Sequence, residues 1–363
     1  MKTICLNLKG RSYKIIIGQG VIRTLHNLLR NSELGKKSAV VTNRSVVALH
    51  GRIIGKALQD AGIKYKYIFV PPNEKAKSFR QYLRVAQEIT NLDKDQDIFL
   101  IAFGGGVVGD LAGFVAATYK RGISYIQIPT TLLAQVDSSI GGKTAIDLPI
   151  AKNTFGAFYQ PRAVITDVSF LKSLPSMQIR SGLAEIIKYA VIKDESLFSY
   201  LESNIEKILR KDLKTIEHVI WRSAYIKARV VEEDEFDKKD ARIILNFGHT
   251  LGHAIESASG YSGYSHGQAV AIGMLLAGDI ALHMKLFKEC DLRRLEHLIE
   301  RALLPISIKR SVKMKDIMAS YAHDKKIRKG IKRLIIPVSI GKVKIVENIP
   351  DSIIKKVLAE RFQ

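Results

Sequence analysis

Cysteine is nearly absent: only Cys5 and Cys290 occur in 363 residues, far apart and with no neighbouring ligand pattern. A disulfide framework and a cysteine-based zinc site are thereby excluded, and a reducing compartment fits. Long apolar runs are missing too, since no stretch approaches the ~18 residues of a membrane span. The opening Met1-Lys-Thr-Ile-Cys-Leu-Asn-Leu-Lys-Gly10 alternates like a strand and lacks the apolar segment of a signal peptide. A cytoplasmic protein with no membrane partner is therefore expected. Acidic residues are scarce beside basic ones, 35 against 57, for a net charge of +22. That excess would suit a polyanionic partner. The basic residues are scattered, however, and no RNA- or DNA-binding signature accompanies them, so a nucleic-acid partner is disfavoured. Repeats and low-complexity tracts are absent.

What is present, 47% hydrophobic residues in a chain of this length, is ample for a large core and suggests two domains. Thr3 to Leu8 and Ser12 to Gly18 read as a hairpin around Lys9-Gly10. Helix-like and strand-like segments then alternate: Val21 to Leu29, the strand Ser38 to Thr42, Ser45 to Ala61, the strand Tyr65 to Val70 and Phe79 to Thr90. Such alternation predicts an α/β fold with a doubly wound, mainly parallel sheet. Further strands are expected at Asp97 to Phe103, Ser124 to Ile128 and Ala163 to Thr166. Leu171-Lys-Ser-Leu-Pro175 reads as a boundary, giving domains 1–175 and 176–363. The second is mainly α-helical, with helices at about Ile179 to Ile192, Ser196 to Leu209, Leu213 to Val231, Gly248 to Ser259, Gly267 to Met284 and Leu292 to Leu303. A small hairpin around Ile340-Gly341 and a helix from Ser352 to Glu360 close the chain.

The apolar run Asp97 to Phe103 leads into Gly104, Gly105 and Gly106 and then a helix-like segment from about Val107 to Tyr119. Glycines there open backbone conformations closed to other residues and let a ligand approach bare N–H groups. The helix start favours an anion such as a pyrophosphate. Gly104, Gly106 and Gly109 satisfy G-x-G-x-x-G, but the turn follows a late strand, and Pro129-Thr130 stand where a ribose-binding acid belongs. Ligands of open α/β sheets lie beyond the carboxyl ends of the strands. Asn43, the Pro71-Pro-Asn-Glu74 loop, Gly105 and Thr130 are thus expected to face one crevice. Gly142-Lys143-Thr144 is no P-loop ending, because the first glycine of that motif would fall on Asp137.

In the helical half, His249 and His253 lie four apart on one helix face, His266 opens the next helix, and Glu185 sits amid apolar residues with Lys188 one turn on. Three imidazoles and a carboxylate suit divalent zinc with an open position, and spacing leaves open which three bind. Lys143, after two glycines, and Lys152-Asn153 read as ligands of a phosphate or carboxylate. Asp137, Lys227, Arg242 and Lys325-Lys326 are further polar residues in Gly-rich or apolar surroundings.

Gly104-Gly-Gly-Val-Val-Gly-Asp-Leu-Ala-Gly-Phe114, Pro129-Thr-Thr-Leu-Leu-Ala-Gln-Val-Asp-Ser-Ser-Ile-Gly-Gly-Lys-Thr144, Lys152-Asn153, Gly182-Leu-Ala-Glu185, Gly248-His249 and His266-Gly267 together resemble the 3-dehydroquinate synthases, in order and spacing and over essentially the whole chain. The resemblance implies an NAD-binding domain followed by a metal- and substrate-binding one. It implies a carbon–oxygen lyase of the shikimate pathway to chorismate and the aromatic amino acids. The substrate would be 3-deoxy-D-arabino-heptulosonate 7-phosphate. A ring hydroxyl is oxidised, phosphate is eliminated, the hydride returns from NADH, and ring opening with an aldol closure gives 3-dehydroquinate.

Carried over by residue, the resemblance implies Glu185, His249 and His266 as ligands of zinc or cobalt. Asp137 and Lys188 would contact hydroxyls. Lys143, Asn153, Asn246, His253 and one of Lys325 or Lys326 would hold the phosphate, with Arg121 reaching it from the other subunit of a homodimer. Lys227 and Arg242 would hold the carboxylate. NAD would lie against Asn43, Glu74, Lys77, Gly105, Gly106, Asp110, Thr130, Thr131, Lys152 and Phe170. The chain departs from the family pattern in having Asn73 before Glu74, a longer Asp234 to Arg242 segment, and Gln268 where Glu is common. The nearest alternatives are an inosose or valiolone synthase, whose substrates lack the carboxylate, and a metal-dependent polyol dehydrogenase.

Overall fold

The computed structural model describes residues 1–30, 32, 34–94, 97–148, 151–260, 263–322 and 332–363. Two compact units emerge, one of Met1–Pro175 with Ile216–Phe236, the other of Ser176–Thr215 with Asp237–Gln363.

The first unit runs β1 (Lys2–Leu6), β2 (Tyr13–Gly18), α1 (Leu25–Arg30), β3 (Lys37–Thr42), α2 (Arg44–Asp60), β4 (Lys64–Phe69), α3 (Phe79–Leu92), β5 (Ile98–Gly104), α4 (Gly106–Thr118), β6 (Tyr125–Pro129), β7 (Lys143–Leu148), β8 (Ala151–Phe158) and β9 (Ala163–Asp167). Seven strands form one sheet in the order β1-β2-β9-β6-β5-β3-β4. Only β1 and β2 pair antiparallel; the remaining neighbours are parallel. Every residue of β5 is buried, as a central strand covered on both faces requires. Its alternating side chains feed two cores. Leu100 and Ala102 pack with Val108, Leu111 and Ala112 of α4 on one face, and Phe99, Ile101 and Phe103 pack with Ile54 and Leu58 of α2 on the other. Helices on both faces make the sheet doubly wound, as the alternation predicts.

In this unit the sequence left β7, β8 and a wide turn unread. β7 and β8 form a separate antiparallel hairpin, hidden because β8 is largely exposed and its residues, Ala-Lys-Asn-Thr-Phe-Gly-Ala-Phe, lack alternation. Ala134–Ser138 forms a wide π-type turn. Buried Gln135 pins it, donating from Nε2 to the carbonyls of Pro129 at 3.1 Å and Asp167 at 2.9 Å.

The second unit contains α5 (Ser176–Lys193) and α6 (Glu195–Leu209). The long helix α7 (Leu213–Glu233) follows, and from Ile216 onward it belongs to the first unit. There Asn7 N–H donates to Glu232 at 2.6 Å, and Lys2 lies 4.5 Å from the Trp221 ring centre. The second unit continues with α8 (His249–Ala258), α9 (His266–His283), α10 (Glu289–Arg301), α11 (Met314–Ala322), the hairpin β10 (Arg333–Ser339) and β11 (Lys342–Glu347), and α12 (Asp351–Glu360). α11 was not anticipated. α5 and α9 are buried almost all round, so they form the core against which α6, α8 and α10 pack. Among the described residues no helix is long and apolar enough to cross a membrane.

Candidate cofactor and metal sites

In the first unit the carboxyl ends of β3, β4, β5 and β6 lie at one edge of the sheet because these strands are parallel neighbours. Asn43, Gly105 and Thr130 follow β3, β5 and β6 directly, and Glu74 lies in the loop after β4. Gly105 is the N-cap of α4, and the first-turn N–H groups of Gly106 and Val107 have no acceptor within the helix itself. The backbone freedom that the sequence suggests for these glycines is not used. None of Gly104, Gly105 or Gly106 has a positive φ. Close packing requires them instead: a Cβ would stand 2.7 Å from Val108 at Gly104, 3.0 Å from Thr131 at Gly105 and 2.7 Å from Ser138 Oγ at Gly106. Ser138 Oγ is buried with no hydrogen-bond partner among the described residues. Aimed at the turn, it offers a hydroxyl to a polar ligand there, a role not singled out in the sequence.

Lys77 is the centre of this edge. Its ammonium, only 3% exposed, lies 2.8 Å from Asp110, 3.7 Å from Glu74 and 3.9 Å from Asp147, and also donates to Asn153 Oδ1. Burial alone would lower the Lys77 pKa, but the carboxylates outweigh it and raise it, so the cation is retained. Burial raises both Glu74 and Asp110 against the pull of Lys77. Asn73, the departure from the family pattern, accepts from Lys75 N–H at 3.2 Å and so caps the short helix that carries Glu74 and Lys77. Asn153 is itself left-handed (φ 53°) and its N–H donates to Asp147 at 2.8 Å. Replacing Lys77 by Met should therefore leave three crowded carboxylates and weaken NAD binding at least roughly tenfold, measured by calorimetry. Unchanged NAD affinity would count against this role.

The remaining expected cofactor residues are placed as follows. Asn43 Oδ1 caps α2 by accepting from Val46 N–H at 2.9 Å. Thr130 N–H donates to the Gly104 carbonyl at 2.9 Å, and Thr131 Oγ1 accepts from Ala134 N–H at 3.2 Å. Phe170 is buried against Phe103. Lys143, Lys152 and Arg121 are exposed. Asp137, on the π-type turn, pairs with the buried Lys227 of α7, whose ammonium also donates to the Asp137 carbonyl at 2.7 Å. Sequence spacing gave no hint of that pairing.

In the second unit α5, α8 and α9 bring Glu185, His249 and His266 together. Glu185 Oε1 lies 3.3 Å from His249 Nε2 and 3.2 Å from His266 Nε2, and one ligand atom from each residue lies within 4.8 Å of the others. A tetrahedral zinc with bonds of ~2.0–2.2 Å separates its ligand atoms by about 3.3 Å. His249 Nδ1 lies 3.0 Å from the Phe247 carbonyl. A proton on Nδ1 satisfies that carbonyl and leaves Nε2 with a lone pair toward the cluster, the outer-shell arrangement expected of a ligand histidine. Lys188 pairs with the other Glu185 oxygen inside the core. Burial pushes the Glu185 carboxyl up, but Lys188, His249 and His266 outweigh it and hold it well below the usual carboxylate range. Burial lowers His249. It also pulls on His266, where Glu185 and Glu256 prevail and raise the group to about 9.

The donor set therefore fits a divalent metal. His253 is exposed, with its ring centre 5.3 Å from that of His249 and 5.8 Å from that of His266. Glu256, absent from the sequence-based candidates, lies 3.7 Å from His266 Nδ1. Its i+3 spacing from His253 was the available signal. Gln268 accepts from Ser265 N–H at 2.9 Å, closing the first turn of α9 beside His266. Arg242 is buried and Asn246 half-buried in the short helix Ala241–Asn246. Lys325 and Lys326 lie outside the described residues.

Solved structures with this combination of a doubly wound sheet and a helical unit include sugar-phosphate cyclases. The chain superposes on ValA, a 2-epi-5-epi-valiolone synthase from Streptomyces hygroscopicus solved with NAD+ and Zn2+ bound, with a TM-score of 0.87 and 26% identity over 98% of this chain and 99% of that one. It superposes equally on a 2-deoxy-scyllo-inosose synthase complexed with carbaglucose-6-phosphate, NAD+ and Co2+, with a TM-score of 0.88 and 26% identity over 99% and 100%. Within that class the sequence is decisive. Residues 67–181 match the family described as 3-dehydroquinate synthase N-terminal and residues 182–327 the one described as 3-dehydroquinate synthase C-terminal. A 3-dehydroquinate synthase of Desulforamulus reducens is 44% identical over 99% of this chain and all of its own. The chain belongs to the 3-dehydroquinate synthase family.

Proposed function

We propose that the chain is a 3-dehydroquinate synthase, a carbon–oxygen lyase that converts 3-deoxy-D-arabino-heptulosonate 7-phosphate into 3-dehydroquinate and phosphate in the shikimate pathway, with NAD and a divalent metal. The metal is zinc or cobalt, and the working form is a cytoplasmic homodimer. The observation that carries the reading is the Glu185–His249–His266 cluster, with Glu185 Oε1 3.3 and 3.2 Å from the two imidazoles, in a chain full-length related to enzymes of that name. When bound, the metal supplies Lewis acidity toward adjacent substrate hydroxyls, and NAD accepts and returns a hydride.

Residues 1–175 are the NAD-binding domain and 176–363 the metal- and substrate-binding one, with Lys227 of α7 added to the first. Gly105, Gly106 and the start of α4 take the pyrophosphate. Glu74, Lys77, Asp110, Asn43, Thr130, Thr131, Lys152 and Phe170 shape the rest of the cofactor site. Lys188 holds Glu185 ionised and, with Asp137, orients substrate hydroxyls. Lys143, Asn153, Asn246, His253 and Lys325 or Lys326 take the phosphate, as does Arg121 of the second copy. Lys227 and Arg242 take the carboxylate. That pair of cations favours this substrate over the carboxylate-free substrates of valiolone or inosose synthases.

The test supplies the purified protein with NAD, zinc and the sugar-acid phosphate and follows phosphate release, product mass and absorbance of NADH. Phosphate and 3-dehydroquinate should form with no net NADH. A chelator should stop turnover while leaving NAD binding intact, and zinc or cobalt should restore it. Absence of phosphate release with NAD and metal both bound would overturn the reading. Accumulation of NADH would indicate a dehydrogenase instead.

A further inference from the structure

The turn after α4 places three consecutive residues at positive φ: Lys120 at 49°, Arg121 at 66° and Gly122 at 129°. Two adjacent residues with side chains are disfavoured there, and such geometry persists only where the surroundings impose it. The surroundings are visible. Asp93, at the end of α3, has a side chain only 1% exposed and accepts from Lys120 Nζ at 2.6 Å and from the Tyr119 hydroxyl at 3.1 Å. Tyr82 donates to Thr118 Oγ1 at 3.0 Å, Gly122 N–H donates to the Tyr119 carbonyl at 2.9 Å, and Ile123 N–H to that of Ala116 at 2.8 Å. Arg121 itself is exposed, and among the described residues its guanidinium has no hydrogen bond or ion pair. Lys120 already neutralises the buried Asp93 carboxylate through Oδ2, so Arg121 is not needed as its counter-charge.

We propose that Asp93 is a positioning residue for Arg121: by anchoring Tyr119 and Lys120 it holds the 119–122 turn in its left-handed form and projects the guanidinium toward a phosphate bound by a second copy of the chain. This rests on the place given to Arg121 in the proposed function. It adds the element that makes the arm rigid, so that less ordering is left to be done when the phosphate arrives.

Mixed dimers of full-length chains carrying different tags test it. A pair of His249→Ala and Arg121→Ala chains keeps one complete site, with the metal cluster of the Arg121→Ala chain and the arginine of its companion. It should release phosphate at about half the wild-type rate. Adding Asp93→Leu to the arginine-donating chain should raise KM for the phosphate substrate roughly tenfold or more. Adding it to the other chain should leave KM within about twofold, with metal and NAD binding unchanged in both placements. A structural defect would not distinguish the two chains. Equal KM in the two placements would overturn the role of Asp93. An inactive His249→Ala and Arg121→Ala pair would overturn the cross-copy arginine, and the inference with it. If Asp93→Leu does not fold, Asp93→Asn keeps the shape and loses the Lys120 ion pair, and the same asymmetry of smaller size is expected; a symmetric result overturns the proposal as before.

Discussion

Replacing His249 by alanine is expected to abolish metal binding and to lower phosphate release by about 10³ or more, the loss of roughly 4 kcal/mol of transition-state stabilisation. His249 Nε2 is one corner of a three-ligand cluster, 3.3 Å from Glu185 Oε1, and two remaining protein ligands do not hold zinc against water and buffer. The substitution is also the cleanest available at the cluster. Glu185 is fully buried and pairs with buried Lys188. Its removal leaves an ammonium without a counter-charge in the core, a defect worth about 3–5 kcal/mol of stability in its own right. Truncating His249 instead removes a side chain at the first turn of α8 whose Nδ1 bond is to the adjacent Phe247 carbonyl. Metal content by mass spectrometry after dialysis, with NAD affinity as the control for folding, separates the two effects. Full retention of metal by His249→Ala would show that another histidine, with His253 the nearest candidate, completes the set.

How much of this was legible before the fold depends on what kind of signal each residue leaves. Ile98 to Phe103 announces a buried strand because every position is apolar, and the strands and helices that alternate around it follow from hydrophobic period alone. β8 leaves no such trace. Its residues are mostly exposed, and the contacts of Asp147 and Asn153 with Lys77 come from a position some seventy residues away. Lys77 read as a cofactor ligand by resemblance; that the fold surrounds its ammonium with the carboxylates of Glu74, Asp110 and Asp147 left no trace in the sequence. Spacing placed His249 and His253 on one helix face but left the ligand set open. The 3.2 and 3.3 Å approaches of Glu185 to His266 and His249 depend on how α5, α8 and α9 pack, which no local pattern encodes.

That packing yields the second large effect. α8 and α9 approach so closely that a Cβ on Gly273 would fall on the Gly248 carbonyl oxygen and 2.8 Å from Gly252 N. Both obstacles are backbone. Gly248 is held at φ 75° where α8 begins, a conformation its neighbours cannot relax without moving His249. Gly273→Ala should therefore cost about 3 kcal/mol, the upper end of the overpacking range, and lower Tm by roughly 5–10 °C. Because the helices can only accommodate the methyl group by separating, zinc affinity should fall with stability even though residue 273 touches no ligand. Gly278→Ala, one turn and a half along the same helix, meets the flexible end of Leu292 at 2.7 Å and should cost much less. Calorimetric Tm and competitive zinc titration on the two variants measure both effects. Equal behaviour of the two would show that α8 can shift, and that the spacing of the Glu185–His249–His266 cluster is not set by the contact between Gly273 and Gly248.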